Sequence, residues 1–226
     1  MIIVYSHQKG GVGKSTILWN HAVEFSKTRK VYVIDLDIQK TFTQTLQIRN
    51  NNILSGTAPK ALKKYAGNLE LVEVSSKQEL IDFLKQVKQD DLVFIDTGGF
   101  DSEYNRIAMI ASNILITPVS SKFYELLGLK KYESILQDLS SEKGLQRDFK
   151  AVVVFNKIQP TAKNILRDIF DFIKKSNKFE YFNTVLRQRV DYENSPALGL
   201  SVIEYDPKSK AAKEFQHFKK EFEESL

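Results

Sequence analysis

The chain has 226 residues, 42% hydrophobic and 27% charged, proportions of an ordinary globular protein that exclude collagen-like, mucin-like and wholly disordered chains. It has no cysteine and three histidines. Without cysteine a disulfide framework, an iron–sulfur cluster and a thiolate zinc site are excluded, and His7, His21 and His217 lack the spacing of a histidine metal site. Lys and Arg exceed Asp and Glu by 33 to 28, a net charge of +5, which is compatible with anionic partners but does not identify one.

The segments alternate from the start. Strands are expected at Ile2 to Tyr5, Val31 to Asp35, Leu69 to Val74, Leu92 to Asp96, Ile114 to Thr117, Ala151 to Phe155, Thr184 to Leu186 and Val202 to Tyr205. Several are unbroken Val, Ile, Leu and Phe runs, as in parallel strands buried on both faces. Between them, helices are expected at Lys14 to Ser26, Lys77 to Gln89, Glu103 to Ala111, Tyr124 to Leu139, Ala162 to Lys175 and Lys208 to Glu224. Ser76 and Glu79 form a capping-box signature at one of these starts. This order is α/β. No Pro-, Gly- or Ser-rich linker divides the chain, so one domain, 1–226, is expected. The apolar runs are strand-sized, well below the ~20 residues that a bilayer requires, and the N-terminus enters a strand without a basic leader.

The segment Gln8-Lys9-Gly10-Gly11-Val12-Gly13-Lys14-Ser15-Thr16 lies between a strand and a helix. Glycines there let successive backbone N–H groups face phosphate oxygens, Lys14 reaches the β- and γ-phosphates, and Ser15 offers its hydroxyl to Mg2+. The strict phosphate-loop pattern has Gly where this chain has Gln8, and it does not require Lys9. Two acidic segments, Asp35-Leu36-Asp37-Ile38-Gln39 and Asp96-Thr97-Gly98-Gly99, fall at strand ends, where open α/β sheets bind ligands. Taken alone, each Asp reads as a strand-end turn former. Beside a phosphate loop, Asp96 becomes a candidate for the metal shell.

On these residues the chain resembles the ParA/MinD group of P-loop ATPases, and within it the short ParA-type partition proteins. The K-G-G-V-G-K-S-T loop with its second lysine carries the likeness, together with D-x-D-x-Q, the Asp96 strand, Ile116-Thr117-Pro118-Val119 and Arg187-Gln188-Arg189-Val190. The resemblance implies a three-layer P-loop NTPase fold, with a mostly parallel twisted sheet flanked by helices. It also implies slow, Mg2+-dependent ATP hydrolysis. By the same resemblance Lys9, Gly10, Gly11, Val12, Gly13, Lys14, Ser15 and Thr16 cradle the nucleotide. Asp37 orients the attacking water, Asp96 serves the Mg2+ shell, and Asn156 lies near the base. Lys9 crosses to the γ-phosphate of a partner in an ATP-bound homodimer. The chain departs from the group at Ile38, where Pro is common.

Short ParA-type proteins lack an N-terminal helix-turn-helix domain, and none is expected here, so DNA contact would come from the ATPase surface. On a helical wheel Lys163, Arg167, Lys174 and Lys178 share one arc, and Arg187 and Arg189 follow nearby, a stripe suited to nonspecific double-stranded DNA. An ordinary solvated lysine face is the alternative, since Asp168 and Asp171 dilute the stripe. The tail from Glu221 to Leu226 is acidic, which argues against a membrane-targeting helix. The resemblance thus implies a cytoplasmic, nucleoid-associated switch working with a ParB-like or ParG-like centromere-binding protein. Positioning of a protein cluster or organelle, or a scaffold with negligible turnover, remain as rival readings.

Overall fold

The computed structural model describes residues 1–57, 62 and 67–225. Among these residues seven strands form one sheet: β1 (Ile2–Tyr5), β2 (Val31–Asp35), β3 (Leu69–Leu71), β4 (Leu92–Asp96), β5 (Ile114–Val119), β6 (Ala151–Ile158) and β7 (Phe179–Arg187). Their order is β3-β2-β4-β1-β5-β6-β7, and every pairing is parallel. Nine helices pack on it among the described residues: α1 (Lys14–Ser26), α2 (Thr41–Ser55), α3 (Lys77–Gln86), α4 (Glu103–Ala111), α5 (Glu125–Ser141), α6 (Lys163–Lys175), α7 (Asp191–Ala197), α8 (Val202–Tyr205) and α9 (Lys210–Glu224). None is long and apolar enough to cross a membrane.

Side chains alternate across β1, so one strand serves two cores. Ile3 and Tyr5 face a cluster with Trp19, Phe25, Phe94, Phe215, Phe218 and Phe222, covered by α1 and α9. Ile2 and Val4 face the other, with Val93, Ile95, Met109, Leu129, Tyr132 and Ile173, covered by α3 to α6. This is the expected three-layer arrangement. The phosphate loop leaves the carboxyl end of β1, the central strand, between β4 and β5.

Three expectations are corrected. Val202 to Tyr205 is not a strand but helix α8, because Ser201 and Glu204 form a capping box there that outweighs the strand-like apolar spacing. Thr184 to Leu186 is only the end of a nine-residue strand. Helices α2 and α7 were not anticipated: α2 starts at Lys40 without a side-chain cap and is rich in Thr and Asn, which favour helices weakly, and α7 contains Pro196.

As an edge strand, β7 exposes backbone donors, and carboxylates from α9 cover them. Glu221 accepts the Asn183 and Thr184 N–H groups at 2.6 and 2.9 Å, and Glu214 accepts that of Arg187 at 3.1 Å. The basic stripe must be shortened as well. Lys178 lies beyond the end of α6, buried and ion-paired to Asp148, so it is no part of an exposed surface.

His21 is fully buried among Phe25, Phe94, Phe215, Phe218 and Phe222. Its Nδ1 accepts the Tyr5 hydroxyl, which burial keeps protonated. Nε2 finds no partner among the described residues. Burial pushes the imidazole down to about 3, with Lys219 adding to the effect. The unfolded chain therefore binds a proton near pH 6.5 that the folded state refuses, so stability falls as pH drops from about 6.5 toward 3. Between pH 6.5 and 5 the loss is about 2 kcal/mol. Urea unfolding of wild type and His21→Gln across this range is expected to show that segment of pH dependence only in the wild type.

Candidate functional site

Gly13 stands immediately before α1 at φ 95°, and no side chain caps this helix start. The first N–H groups of α1 thus have no side-chain acceptor, the usual setting for an anion. Two neighbours fix the loop by close approach. The Asn156 amide in β6 donates to the Val12 carbonyl at 2.8 Å, and a Cβ on Gly13 would overlap that amide nitrogen. On the other side, a Cβ on Gly99 would lie 2.7 Å from the Gly10 nitrogen. Lys157, at φ 53°, donates to the Gly11 carbonyl at 3.1 Å. The loop is held between the ends of β6 and β4, its backbone in a fixed shape.

Lys14 is buried, and its ammonium reaches the Lys9 carbonyl at a long 3.5 Å. Burial lowers its pKa, while Asp96 and Asp37 oppose that shift. Asp96, the last residue of β4, is fully buried, and neither carboxylate oxygen has a hydrogen bond of normal geometry among the described residues. Burial pushes its carboxyl up to about 7; the neighbouring Ser15 hydroxyl and Lys14 pull it down, and Asp35 and Asp37 add to the rise. An orphaned buried carboxylate beside a hydroxyl is the arrangement a Mg2+ shell uses, since that ion takes few protein ligands and completes its octahedron with phosphate and water. Among the described residues no group of three or more His, Asp or Glu side chains is placed to hold a metal ion by itself. The residues present therefore fit a magnesium nucleotide.

The other acidic segment divides its labour. Asp35 is buried and structural: it accepts the Asp37 N–H at 3.2 Å and both the N–H and hydroxyl of Thr43 at 3.1 and 2.9 Å. It thereby ties the strand end to the first turn of α2. Asp37 is only half-buried and accepts the Gln39 N–H at 3.0 Å, a local turn that leaves its side chain at the sheet's carboxyl edge. Ile38, at the position where the resembled group commonly has Pro, is 73% exposed.

Lys9 is not free. Its ammonium lies 3.0 Å from Glu125 Oε1 and 5.8 Å from the centre of the Tyr124 ring. The sequence by itself assigns no site role to Glu125, His7, Lys157 or Gly99. Glu125 is 116 residues from Lys9, and no local pattern marks it.

Thr16 and Asn156 line a small cleft with Arg187, Gln188, Arg189 and Tyr192. Arg187 and Arg189, grouped by sequence with the α6 stripe, thus border the end of the phosphate loop. Both are bound to Glu214, at 3.0 Å and 2.6 Å. Lys163, Arg167 and Lys174 are exposed on α6, with Lys174 4.5 Å from the centre of the Phe170 ring.

A parallel sheet with a clamped phosphate loop at the carboxyl end of its central strand defines a P-loop nucleotide-binding protein. The model of the CobQ/CobB/MinD/ParA nucleotide binding domain matches residues 3–216, and the chain belongs to that family. It is 25% identical to the sporulation initiation inhibitor protein Soj of Bacillus subtilis, covering 97% of each chain. It is 26% identical to the chromosome partitioning protein ParA of Myxococcus xanthus, over 95% of this chain and 84% of the relative. Among solved structures, a putative plasmid partition protein of Borrelia burgdorferi bound to AMPPNP superimposes with a TM-score of 0.72 at 19% identity, covering 100% of this chain and 99% of the other.

Asp96 supplies a stability test. Between pH 3.8 and about 7 the folded state holds a proton that the unfolded chain releases, so this group costs stability as pH rises through that window, and the cost stays above it. Asp96→Asn is expected to raise the thermal midpoint of the nucleotide-free protein at pH 8 by several degrees, a difference that vanishes below pH 4. Scanning calorimetry at the two pH values checks it; an equal or lower midpoint at pH 8 would show that the carboxylate is not under strain.

Proposed function

We propose that this protein is a ParA-type ATPase switch that dimerises on binding ATP, coats DNA without regard to sequence, and lets go when a centromere-bound partner protein stimulates hydrolysis. The observation that carries this reading is the orphaned Asp96 carboxylate beside Ser15, beneath a phosphate loop clamped from both sides. The relatives named for partition support the cargo. A cytoplasmic, nucleoid-associated location follows from the same reading.

Bound Mg-ATP would supply the phosphoryl group and the metal charge that eases its transfer. The chain's own residues then have distinct tasks. Backbone N–H groups from Gly10 to Thr16 and the Lys14 ammonium neutralise the terminal phosphates. Ser15 and Asp96 hold the metal shell, and Asp37 orients the attacking water. Lys9 acts on the nucleotide of the second subunit, so hydrolysis depends on dimerisation. Asn156 shapes the loop and borders the base cleft. Lys163, Arg167 and Lys174 contact DNA phosphates from α6, with Arg187 and Arg189, tied by Glu214, completing the surface beside the nucleotide.

Asp37→Ala is expected to bind ATP and accumulate as an ATP-locked dimer in light scattering; a monomeric variant with normal turnover would refute the role given to Asp37. DNA binding gives a second test. Affinity should need ATP, ignore base sequence, and weaken with salt at a slope of about −0.9 in log K per neutralised phosphate. Two joined subunits engage one duplex with an avidity gain of about 100-fold. Charge reversal at Lys163 and Arg167 is expected to flatten the salt slope and leave basal ATPase unchanged. Equal binding with ATP, ADP and no nucleotide would overturn the switch.

A further inference from the structure

Glu125, the first residue of α5, is 1% exposed, yet three donors converge on its carboxylate. Ser120 Oγ donates to Oε1 at 2.8 Å, and the Lys9 ammonium donates to the same oxygen at 3.0 Å. His7 Nε2 lies 3.3 Å from Oε2. Thr117 Oγ1, 3.0 Å from His7 Nδ1, fixes the ring so that its Nε2–H points at the carboxylate when Thr117 donates to Nδ1. Burial pulls the Glu125 carboxyl upward, but the hydrogen bonds from His7, Ser120 and Lys9 outweigh it and hold the group ionised.

The close fit of α5 on this cluster depends on Gly128. A Cβ there would sit 3.2 Å from His7 Nε2 and 3.9 Å from Lys9 Cβ, which accounts for a glycine in a helix interior, where it is otherwise unfavourable. Of the three donors, Ser120 and His7 are buried, whereas Lys9 is 32% exposed and belongs to the phosphate loop. If the lysine leaves, Oε1 keeps Ser120 and Oε2 keeps His7. The buried carboxylate then loses Coulombic attraction but is not stripped of hydrogen bonds, the event that makes breaking a buried pair most costly.

We propose that Glu125 is a positioning residue for Lys9: it holds the ammonium on its own subunit and yields it when the nucleotide phosphate of a second copy competes. This rests on the reading of Lys9 as the cross-subunit lysine. The Lys9–Glu125 pair thereby sets the concentration at which nucleotide drives dimerisation, with Ser120 and His7 tuning how readily the carboxylate releases its cation. Variants at Glu125 and Ser120 move dimerisation in opposite directions. Glu125→Gln removes the charge that retains Lys9; Ser120→Ala leaves Glu125 more dependent on Lys9.

The test measures dimer dissociation constants by sedimentation with Mg2+ and a non-hydrolysable ATP analogue, for wild type, Lys9→Ala, Glu125→Gln, the double variant and Ser120→Ala. Glu125→Gln is expected to dimerise about ten-fold more tightly and Ser120→Ala several-fold more weakly. The gain from Glu125→Gln should disappear in the Lys9→Ala background. Glu125→Gln no tighter than wild type, or a gain that persists without Lys9, overturns the positioning role. Should Glu125→Gln fail to fold, Ser120→Ala decides, and dimerisation equal to or tighter than wild type overturns it. If Lys9→Ala alone dimerises like wild type, the cross-subunit reading itself has failed; impaired Lys9→Ala with unshifted Glu125→Gln sinks only the role of Glu125.

Discussion

Backbone packed against backbone and side chain at two glycines, without room for a Cβ, holds the phosphate loop in shape. Gly13 lies over the Asn156 amide, and Gly99 lies against the backbone of Gly10. Neither contact involves a charge. Yet the charged groups act only because of them: a loop free to relax would turn its N–H groups inward, whereas a clamped one keeps them where an anion can use them, with little reorganisation at the moment of binding. The two clamps come from the ends of β6 and β4. The sheet order, which sets β4 directly beside β1 and β6 one strand beyond β5, is therefore a condition of the site.

The same crevice stores unfavourable electrostatics. Asp96 is buried with no hydrogen bond of normal geometry among the described residues, and Lys14 is buried beside it with one long contact to a carbonyl. Each is unfavourable alone, and the two large hydrophobic clusters on the faces of the sheet offset it. Tyr5 illustrates the economy of the design, since the strand that launches the phosphate loop also anchors the aromatic cluster around His21. Glu125 follows the opposite logic: it is buried but has more donors than it needs. One orphaned carboxylate suits the capture of a cation, and one oversupplied carboxylate suits the release of one.

Much of this was legible in the sequence wherever the signal was local. The phosphate loop, the five apolar strands that carry the site and the Ser76 cap all depend on neighbours a few residues apart, and they stand where the sequence puts them. What the sequence hid depends on distance. Asn156 reaches Val12 across 144 positions, so its grip on the loop could not be read from spacing. Helix α2 is amphipathic only weakly, and Phe42 and Leu46 find their core through contacts with distant elements. The Val202 to Tyr205 segment shows competing local signals, where apolar spacing suggested a strand and the Ser201–Glu204 box decided for helix. Helical spacing carries Lys178 along with the basic stripe, but α6 ends at Lys175 and Lys178 pairs with Asp148. Charge and nearness in sequence group Arg187 and Arg189 with the α6 stripe, and only the fold sets them beside Thr16 and Asn156.

The central claim is that this clamped loop is an anion site completed by Lys14. Calorimetric titration of Mg-ATP into wild type and Lys14→Ala tests it most directly, with circular dichroism confirming that the variant is folded. Binding by the variant is expected to weaken about 100-fold or more, because a buried charge-assisted contact to the terminal phosphates is lost while the backbone cradle remains. A folded Lys14→Ala protein that binds Mg-ATP with wild-type affinity would contradict the account.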